Sequence, residues 1–259
     1  MARGGYNERV PSPCRKGPMP PILDTISSYV PAWVTHHMRG GPAHSPSLHR
    51  TDAAVLLADI SGFTRLAETL SQHPAGEEAL SNILNSYFGH LIALVEAHGG
   101  DVIKFAGDAL IALWPSDMTG EELSTLCQRA SQCALAIQAS RWQSPLQAGD
   151  PLSLRVGVGA GQVMLARIGG LHHRWELLLS GGGVEQLGSV LPQGSPGDVV
   201  LSPEAFALVA DEGVVRPLPE GAYHLLALRR RLPLRPLPAT PLSPDDEEAL
   251  QGFLPEAVL

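Results

Sequence analysis

Two kinds of apolar pattern run through the middle of the chain, roughly residues 50–228. A short continuous apolar run at 53–58 predicts a buried strand that ends at Asp59. Apolar residues spaced three and four apart predict helices over 61–70, 76–98 and 119–141. Paired glycines directly after the second of these predict its C-terminal end.

The remaining pattern mixes hairpins with single crossover helices. Strands at 101–105 and 109–114 flank a short turn and predict a hairpin. Further strands are predicted at 152–159, 162–168, 175–179 and 198–201, and further helices at 184–191 and 203–210. An amphipathic pattern over 22–35 predicts a helix that covers the domain. This order favours an α+β fold in which a sheet carries its helices on one face.

Composition narrows the classes of protein that fit this pattern. The 259 residues are 44% hydrophobic and 17% charged, enough apolar material for a packed core. The net charge of −8 disfavours general nucleic-acid or anionic-membrane binding, which requires a basic face. No apolar run approaches the length of a membrane span, and the N-terminus lacks the apolar stretch of a signal peptide.

Cysteine and histidine usage points away from a disulfide framework or a zinc motif. The three cysteines are scattered, and no spacing among the ten histidines suggests a zinc site. A cytoplasmic location is therefore expected. Both ends of the chain are rich in proline, at 1–21 and at 217–244, and these tracts are expected to be extended or irregular.

Two carboxylates stand out as candidate chemistry. Asp59 ends the first strand, and Asp108 lies in the turn of the hairpin that is expected to neighbour that strand. Two hard oxygen ligands at one sheet edge suit Mg²⁺, and amides of residues 61–64 at a helix start suit a phosphate chain. Each aspartate also has a simpler interpretation, because Asp59 suits a helix cap and Asp108 suits a turn.

The joint pattern resembles a known family. Residues 58–64 (ADISGFT) and 99–114 (GGDVIKFAGDALIALW) closely resemble the class III nucleotidyl cyclase catalytic domain. They are most similar to the first catalytic half of soluble, bicarbonate-responsive adenylyl cyclases. The resemblance covers about 22–228 and implies a ferredoxin-like cyclase sheet of βααββαβ type. It implies a flexible tail at 1–21 and a proline-rich linker at 229–259 that leads toward a second catalytic domain.

The resemblance assigns roles to individual residues. Asp59, the carbonyl of Ile60 and Asp108 would hold two Mg²⁺ or Mn²⁺ ions. These ions would assist attack of the ribose 3′-hydroxyl of ATP on the α-phosphorus, giving 3′,5′-cyclic AMP and pyrophosphate. Arg155 would contact phosphate, although an exposed strand arginine is an equal alternative. The phosphate cradle would be formed by Ser61, Gly62, Phe63 and Thr64.

Lys104 matches a lysine that reads adenine in homodimeric relatives and helps to hold bicarbonate in the first half of the soluble enzymes. A solvent-facing lysine on the hairpin is the simpler alternative. The arginine expected for bicarbonate binding is absent, because Gly188 occupies its position. The resemblance therefore implies bicarbonate as a partner through Lys104 alone.

The segment 174–189 departs from a complete cyclase site. Leu178 stands where the family has an Asp or Thr that reads the base, and Leu cannot hydrogen-bond it. Glu185 replaces an Asn, and Ser189 replaces an Arg that stabilises charge in the transition state. The resemblance thus implies an adenylate cyclase half that supplies the metal ligands and needs a complementary second catalytic domain. An inactive regulatory or dimerisation domain, or a guanylate cyclase half, are the alternatives.

Overall fold

The structure is a computed structural model that describes residues 22–38, 45–61, 67–68, 70–72, 75–140, 153–171, 174–243 and 246–254. The expected N-terminal tail at 1–21 lies outside the described residues, as does most of the helix predicted at 61–70. Ser61 belongs to the first strand rather than to that helix, while 67–68 and 70–71 are helical.

One mostly antiparallel sheet of eight strands organises the chain. Seven strands follow the order β2-β3-β1-β4-β6-β8-β7, and β5 pairs with β4 off this path. Only β4 and β6 pair in parallel among these strands. The strands are β1 (Ser47–Ser61), β2 (Asp101–Ala106), β3 (Ala109–Pro115), β4 (Ser153–Gly169), β5 (Trp175–Gly181), β6 (Val199–Leu201), β7 (Gly213–Pro217) and β8 (Tyr223–Leu228).

The predicted α+β class is confirmed, and the helices divide between the two faces of the sheet. Alternate residues of β1 point to opposite faces, with Leu56 in one buried cluster and Val55 in the other. The longer helices α3 and α5, with α7, cover the first face as expected. Contrary to the expectation of helices on one face, short helices cover the second face, because the alternate side chains of the central strands are apolar there as well. The helices are α1 (Ile22–Ser27), α2 (Ala32–His37), α3 (Gly76–Ala97), α4 (Ser116–Thr119), α5 (Leu123–Ala139), α6 (Gly182–Val190), α7 (Pro203–Val209) and α8 (Glu247–Gln251).

The two central strands are longer than the sequence pattern predicts. β1 begins at Ser47, and β4 is one strand where two were predicted, at 152–159 and 162–168. The register of β1 with β4 runs unbroken from Ser47↔Arg167 to Ser61↔Ser153. Continuous pairing with β1, which is distant in sequence, keeps β4 extended through its glycines. The local pattern alone predicts a break between two strands there.

The C-terminal part of the sheet contains a hairpin that the sequence analysis did not predict. β7 and β8 pair antiparallel, and β8 joins the sheet by pairing with β6. Nearby prolines obscured the alternation of apolar residues in these strands.

The second face of the sheet accepts α6 because β4 carries glycines there. A Cβ on Gly159 would lie 2.3 Å from the carbonyl oxygen of Gly183 on α6. Such contact is impossible for a larger residue without a shift of backbone. The glycine-rich stretch at 181–183 therefore serves packing within the chain.

The N-terminal segment 22–38 is fastened to the domain at the start of α2. The single helix predicted over 22–35 is divided into α1 and α2, with Pro31 at the break. Pro31 gives α2 no side-chain cap. Instead, Asp101 at the start of β2 accepts hydrogen bonds from the backbone N–H groups of Ala32 and Trp33, at 2.9 and 2.7 Å.

The proline-rich tract 229–243 has no regular secondary structure and lies against the domain. Gln132 on α5 pairs with Leu232 through both the backbone N–H and the carbonyl, at 2.9 and 3.1 Å. Buried Arg129 donates to the carbonyl of Pro233 at 3.0 Å and binds Glu121 with two nitrogens. The segment expected to act as a linker is thus docked along α5 over this part of its length.

In the portion of the chain that the structure describes, no helix combines the length and the apolar character needed to cross a bilayer.

Candidate active site

The two aspartates singled out by the sequence lie at the same end of neighbouring strands. Asp59 in β1 is in register with Ala109 in β3, and Asp108 is the residue just before Ala109, in the β2–β3 turn. Both carboxylate side chains are half-buried. The hairpin geometry therefore brings together the pair of hard oxygen ligands that the sequence predicted at one sheet edge.

Arg155 reaches the same end of these strands from β4, which pairs with β1 on the side opposite β3. It lies in register with Asp59 across β4, and its Nη2 donates to Asp59 Oδ2 at 2.7 Å. Its Nε is buried and has no acceptor among the described residues. Arg155 is therefore not the exposed strand arginine of the simpler interpretation. Its guanidinium holds the Asp59 carboxylate in place.

The remaining phosphate-cradle residues are only partly described. Ile60 is buried in β1, and its neighbour Ser61 ends that strand. Gly62, Phe63 and Thr64 lie outside the described residues, so their predicted contact with phosphate stays a prediction.

Lys104 occupies a different part of the surface. It lies in β2 and forms an ion pair with Glu176 in β5, and both side chains are about half-exposed, at 46% and 58%. Together they line a cavity of about 530 Å³ that also includes Trp175, Tyr29 and Phe253. Neither aspartate nor Arg155 lines this cavity. Glu176 was missed by the sequence analysis, although it lies two residues before Leu178 on the same exposed face of β5.

The three positions that depart from a complete cyclase site all face outward. Leu178 is 42% exposed on β5, an unusual exposure for leucine at a strand centre. Glu185 and Ser189 lie on the exposed side of α6. The Ser189 hydroxyl donates to the carbonyl of Gln186 at 2.8 Å, within the same helix. The surface that would carry base-reading and transition-state groups therefore presents none of the three expected residue types.

Carboxylate oxygens at the Asp59–Asp108 edge fit a divalent metal by their chemistry. Mg²⁺ and Mn²⁺ prefer oxygen ligands, and one or two carboxylates together with substrate phosphates are the usual protein contribution. The guanidinium of Arg155 beside Asp59 carries the positive charge that suits a phosphate oxygen. The edge thus combines ligands for cations with a donor for an anion.

The sequence comparison identifies the family. Residues 47–217 match the family described as "Adenylate and Guanylate cyclase catalytic domain". The chain belongs to this family of class III nucleotidyl cyclase catalytic domains. Members of the class use divalent metal ions, in accord with the carboxylate edge described above.

Curated relatives include adenylate cyclase type 10 from two mammals. The chain is 30% identical over 166 residues to the protein of Rattus norvegicus, and 30% identical over 166 residues to that of Homo sapiens. In each case the match covers 63% of this chain and 10% of the relative. The chain therefore corresponds to a small part of these much longer proteins.

Solved structures share the fold. The adenylyl cyclase CyaB from P. aeruginosa superposes with a TM-score of 0.61 at 22% identity, covering 72% of this chain and 99% of that chain. The non-canonical dimeric guanylyl cyclase domain of the RhoGC fusion protein from Blastocladiella emersonii gives 0.59 at 18% identity, covering 72% and 100%. Both adenylyl and guanylyl cyclases thus share this architecture.

Proposed function

We propose that the chain is the metal-binding half of an adenylate cyclase, which converts ATP into 3′,5′-cyclic AMP and pyrophosphate together with a second catalytic domain. The observation that carries the proposal is the strand register that brings Asp59 next to the Asp108 turn, with Arg155 bonded to Asp59. A domain that served only as a scaffold has no chemical need for this arrangement.

The protein residues have separable tasks in this proposal. Asp59, Asp108 and the carbonyl of Ile60 would hold two Mg²⁺ or Mn²⁺ ions, which neutralise phosphate charge and favour ionisation of the 3′-hydroxyl when bound. Arg155 holds the Asp59 carboxylate in place, and its guanidinium would also bind a phosphate oxygen. Gly62, Phe63 and Thr64 would donate backbone N–H groups to the triphosphate.

The proposal includes a second domain because the exposed surface of β5 and α6 lacks the groups that read the base and stabilise charge in the transition state. Leu178 cannot read a base, and Ser189 cannot supply the positive charge of the missing arginine. Loss of one charge-stabilising group alone costs on the order of 10²–10³ in rate. We propose that a complementary catalytic domain, on the same or another chain, supplies these groups and selects ATP. Lys104 would contribute to base or bicarbonate recognition.

The test is cyclic AMP formation from ATP with Mn²⁺, measured for the chain alone and with an added second cyclase domain. We expect activity only in the pair, and a loss of at least 10²-fold in Asp59→Asn and Asp108→Asn. Asp52→Asn is the matched control, because Asp52 is an exposed carboxylate on the same strand. Full activity of Asp108→Asn in the pair would refute the proposal.

Two other outcomes separate the alternatives. Absence of activity in a folded pair would favour an inactive regulatory domain, for which the outward Leu178, Glu185 and Ser189 are the supporting observation. Cyclic GMP formation from GTP exceeding cyclic AMP formation from ATP would favour a guanylate cyclase half. Activity of the chain alone would show that Leu178 and Ser189 do not disable the site.

A further inference from the structure

Three side chains that are far apart in the sequence converge at the end of α2. His37 on α2, His49 on β1 and Asp117 on α4 place one ligand atom each within 4.8 Å of the others. His37 Nε2 lies 2.9 Å and His49 Nε2 lies 2.8 Å from the same atom, Asp117 Oδ2. Two imidazole nitrogens therefore meet at one carboxylate oxygen.

Hydrogen bonding fixes which atom of His37 faces that oxygen. His37 Nδ1 lies 3.0 Å from the carbonyl oxygen of Trp33, and a carbonyl can only accept, so Nδ1 carries a proton. In a neutral ring this leaves the lone pair on Nε2, aimed at the Asp117 carboxylate. Two electron-rich atoms this close need a proton or a cation between them. Histidine ligands of metals characteristically donate their other ring nitrogen to such a carbonyl.

The surrounding side chains hold the three groups in place while leaving access from solvent. The Trp33 ring stacks on His37 with centroids 4.1 Å apart, and the Thr51 hydroxyl lies 3.1 Å from that of Ser116, the residue before Asp117. The side chains of His37, His49 and Asp117 are 23%, 39% and 21% exposed. Three protein ligands with an open approach match a site that keeps one coordination position for water.

This cluster is separate from the Asp59–Asp108 edge. His49 lies near the start of β1, whereas Asp59 lies near its end. Ten residues of extended strand separate them by about 33 Å. Asp117 likewise follows the end of β3 that is remote from Asp108. A cation at one location is therefore independent of cations at the other.

We propose that His37, His49 and Asp117 form a binding site for a transition-metal ion and that Zn²⁺ is its preferred ion. Two imidazoles with one carboxylate are a typical set for Zn²⁺, whereas Mg²⁺ prefers oxygen alone. Bonds of about 2.0–2.1 Å in a tetrahedron place ligand atoms about 3.3 Å apart. The distances from Asp117 Oδ2 to the two nitrogens, 2.9 and 2.8 Å, would lengthen by about half an ångström to accept the ion, and the two nitrogens lie within 4.8 Å of each other.

Such an ion would fasten the N-terminal segment to the cyclase domain. His37 belongs to α2, and the other two ligands belong to the sheet and to the helix that follows it. Asp101 already holds the opposite end of α2 through two backbone N–H groups. Zinc binding would therefore close a second attachment and stabilise the docked helix.

The experiment is calorimetric titration of the metal-stripped chain with ZnCl₂ in the presence of excess Mg²⁺. We expect one Zn²⁺ per chain, and an affinity at least tenfold weaker in His49→Gln and in Asp117→Asn. His36→Gln is the matched control, since His36 is the neighbouring histidine and lies outside the cluster. Asp108→Asn serves as a second control and should bind Zn²⁺ like the unmodified chain.

Two further readouts test the same site without any activity assay. Co²⁺ should give the visible absorption of a tetrahedral site, and His49→Gln should abolish it. Zn²⁺ at 100 times its dissociation constant should raise the thermal unfolding midpoint by about 5–10 °C. No saturable Zn²⁺ binding at micromolar concentrations, or equal affinity in His49→Gln and Asp117→Asn, would overturn the proposal.

Discussion

Arg155 holds Asp59 across the two central strands of the sheet. The residues are in direct register, and Arg155 Nη2 donates to Asp59 Oδ2 at 2.7 Å. The guanidinium therefore compensates part of the carboxylate charge at the edge where divalent cations are proposed to bind. Arg155 influences both the position of a metal ligand and the affinity of that ligand for cations.

Substitution of Arg155 should affect kcat and the half-saturating Mn²⁺ concentration differently. In the paired assay we expect Arg155→Ala to lower kcat about 10–100-fold, because a charge-assisted hydrogen bond to phosphate is lost. The half-saturating Mn²⁺ concentration should stay equal or fall, because Asp59 loses a competing cation. Arg216→Ala on β7 is the control and should match the unmodified chain. A rise in half-saturating Mn²⁺ for Arg155→Ala would contradict this account.

The Lys104–Glu176 pair should matter little for stability. Both side chains are about half-exposed, so Lys104→Ala and Glu176→Gln should each change the free energy of unfolding by less than about 1 kcal/mol. Urea denaturation measures this change. In the paired assay, Lys104→Ala should still reduce cyclic AMP formation, because the lysine is proposed to take part in recognition. A large loss of stability would assign Lys104 a structural role instead.

A labelling experiment reports directly on the surroundings of the Lys104 side chain. The sequence contains only two lysines, Lys16 and Lys104. Reductive methylation with a ¹³C label should therefore give two resolved dimethyl-lysine signals. Glu176→Gln should shift the Lys104 signal and leave that of Lys16 in place. Equal signals before and after the substitution would show that the ion pair does not form in solution.

Local pattern predicted those parts of the site that depend on neighbours in sequence. The buried run ending at Asp59 and the hairpin around Asp108 are short-range features, and their adjacency follows from strand pairing. The continuity of β4 depends instead on fifteen paired positions along β1, which no local pattern contains. The same holds for His37, His49 and Asp117, whose spacing matches no metal motif. Pairing of β1 with β3 places His49 beside Asp117, and docking of α2 adds His37.

The docked tract 229–243 should depend on Gln132. This side chain both donates to and accepts from Leu232, so Gln132→Ala should lower the free energy of unfolding by about 1–2 kcal/mol. Trypsin should cut the tract faster in the variant, because the bonds after Arg229, Arg230 and Arg231 become more accessible. Gln162→Ala, an exposed glutamine on β4, is the control. Unchanged cleavage in Gln132→Ala would mean that Gln132 does not hold the tract.

The cap on α2 gives the domain a specific pH dependence. Asp101 is fully buried, and burial raises the pKa of its carboxyl to about 7. The N–H groups of Trp33 and Ala32 oppose this rise, and the nearby charge of Glu96 adds to it. Because the folded-state pKa lies above the unfolded value, the folded chain binds more protons between about pH 4 and pH 7. Asp101 therefore stabilises the fold at low pH, and this contribution is lost as the pH rises through 7.

Asp101→Asn isolates this contribution, since asparagine stays neutral at every pH. Relative to Asp101→Asn, the unmodified chain should lose a few kcal/mol of unfolding free energy between pH 4 and pH 8. Urea denaturation at successive pH values measures it. Asp52→Asn should show no such trend, because Asp52 is exposed. A difference that is constant across this range would mean that the two N–H groups keep Asp101 ionised despite its burial.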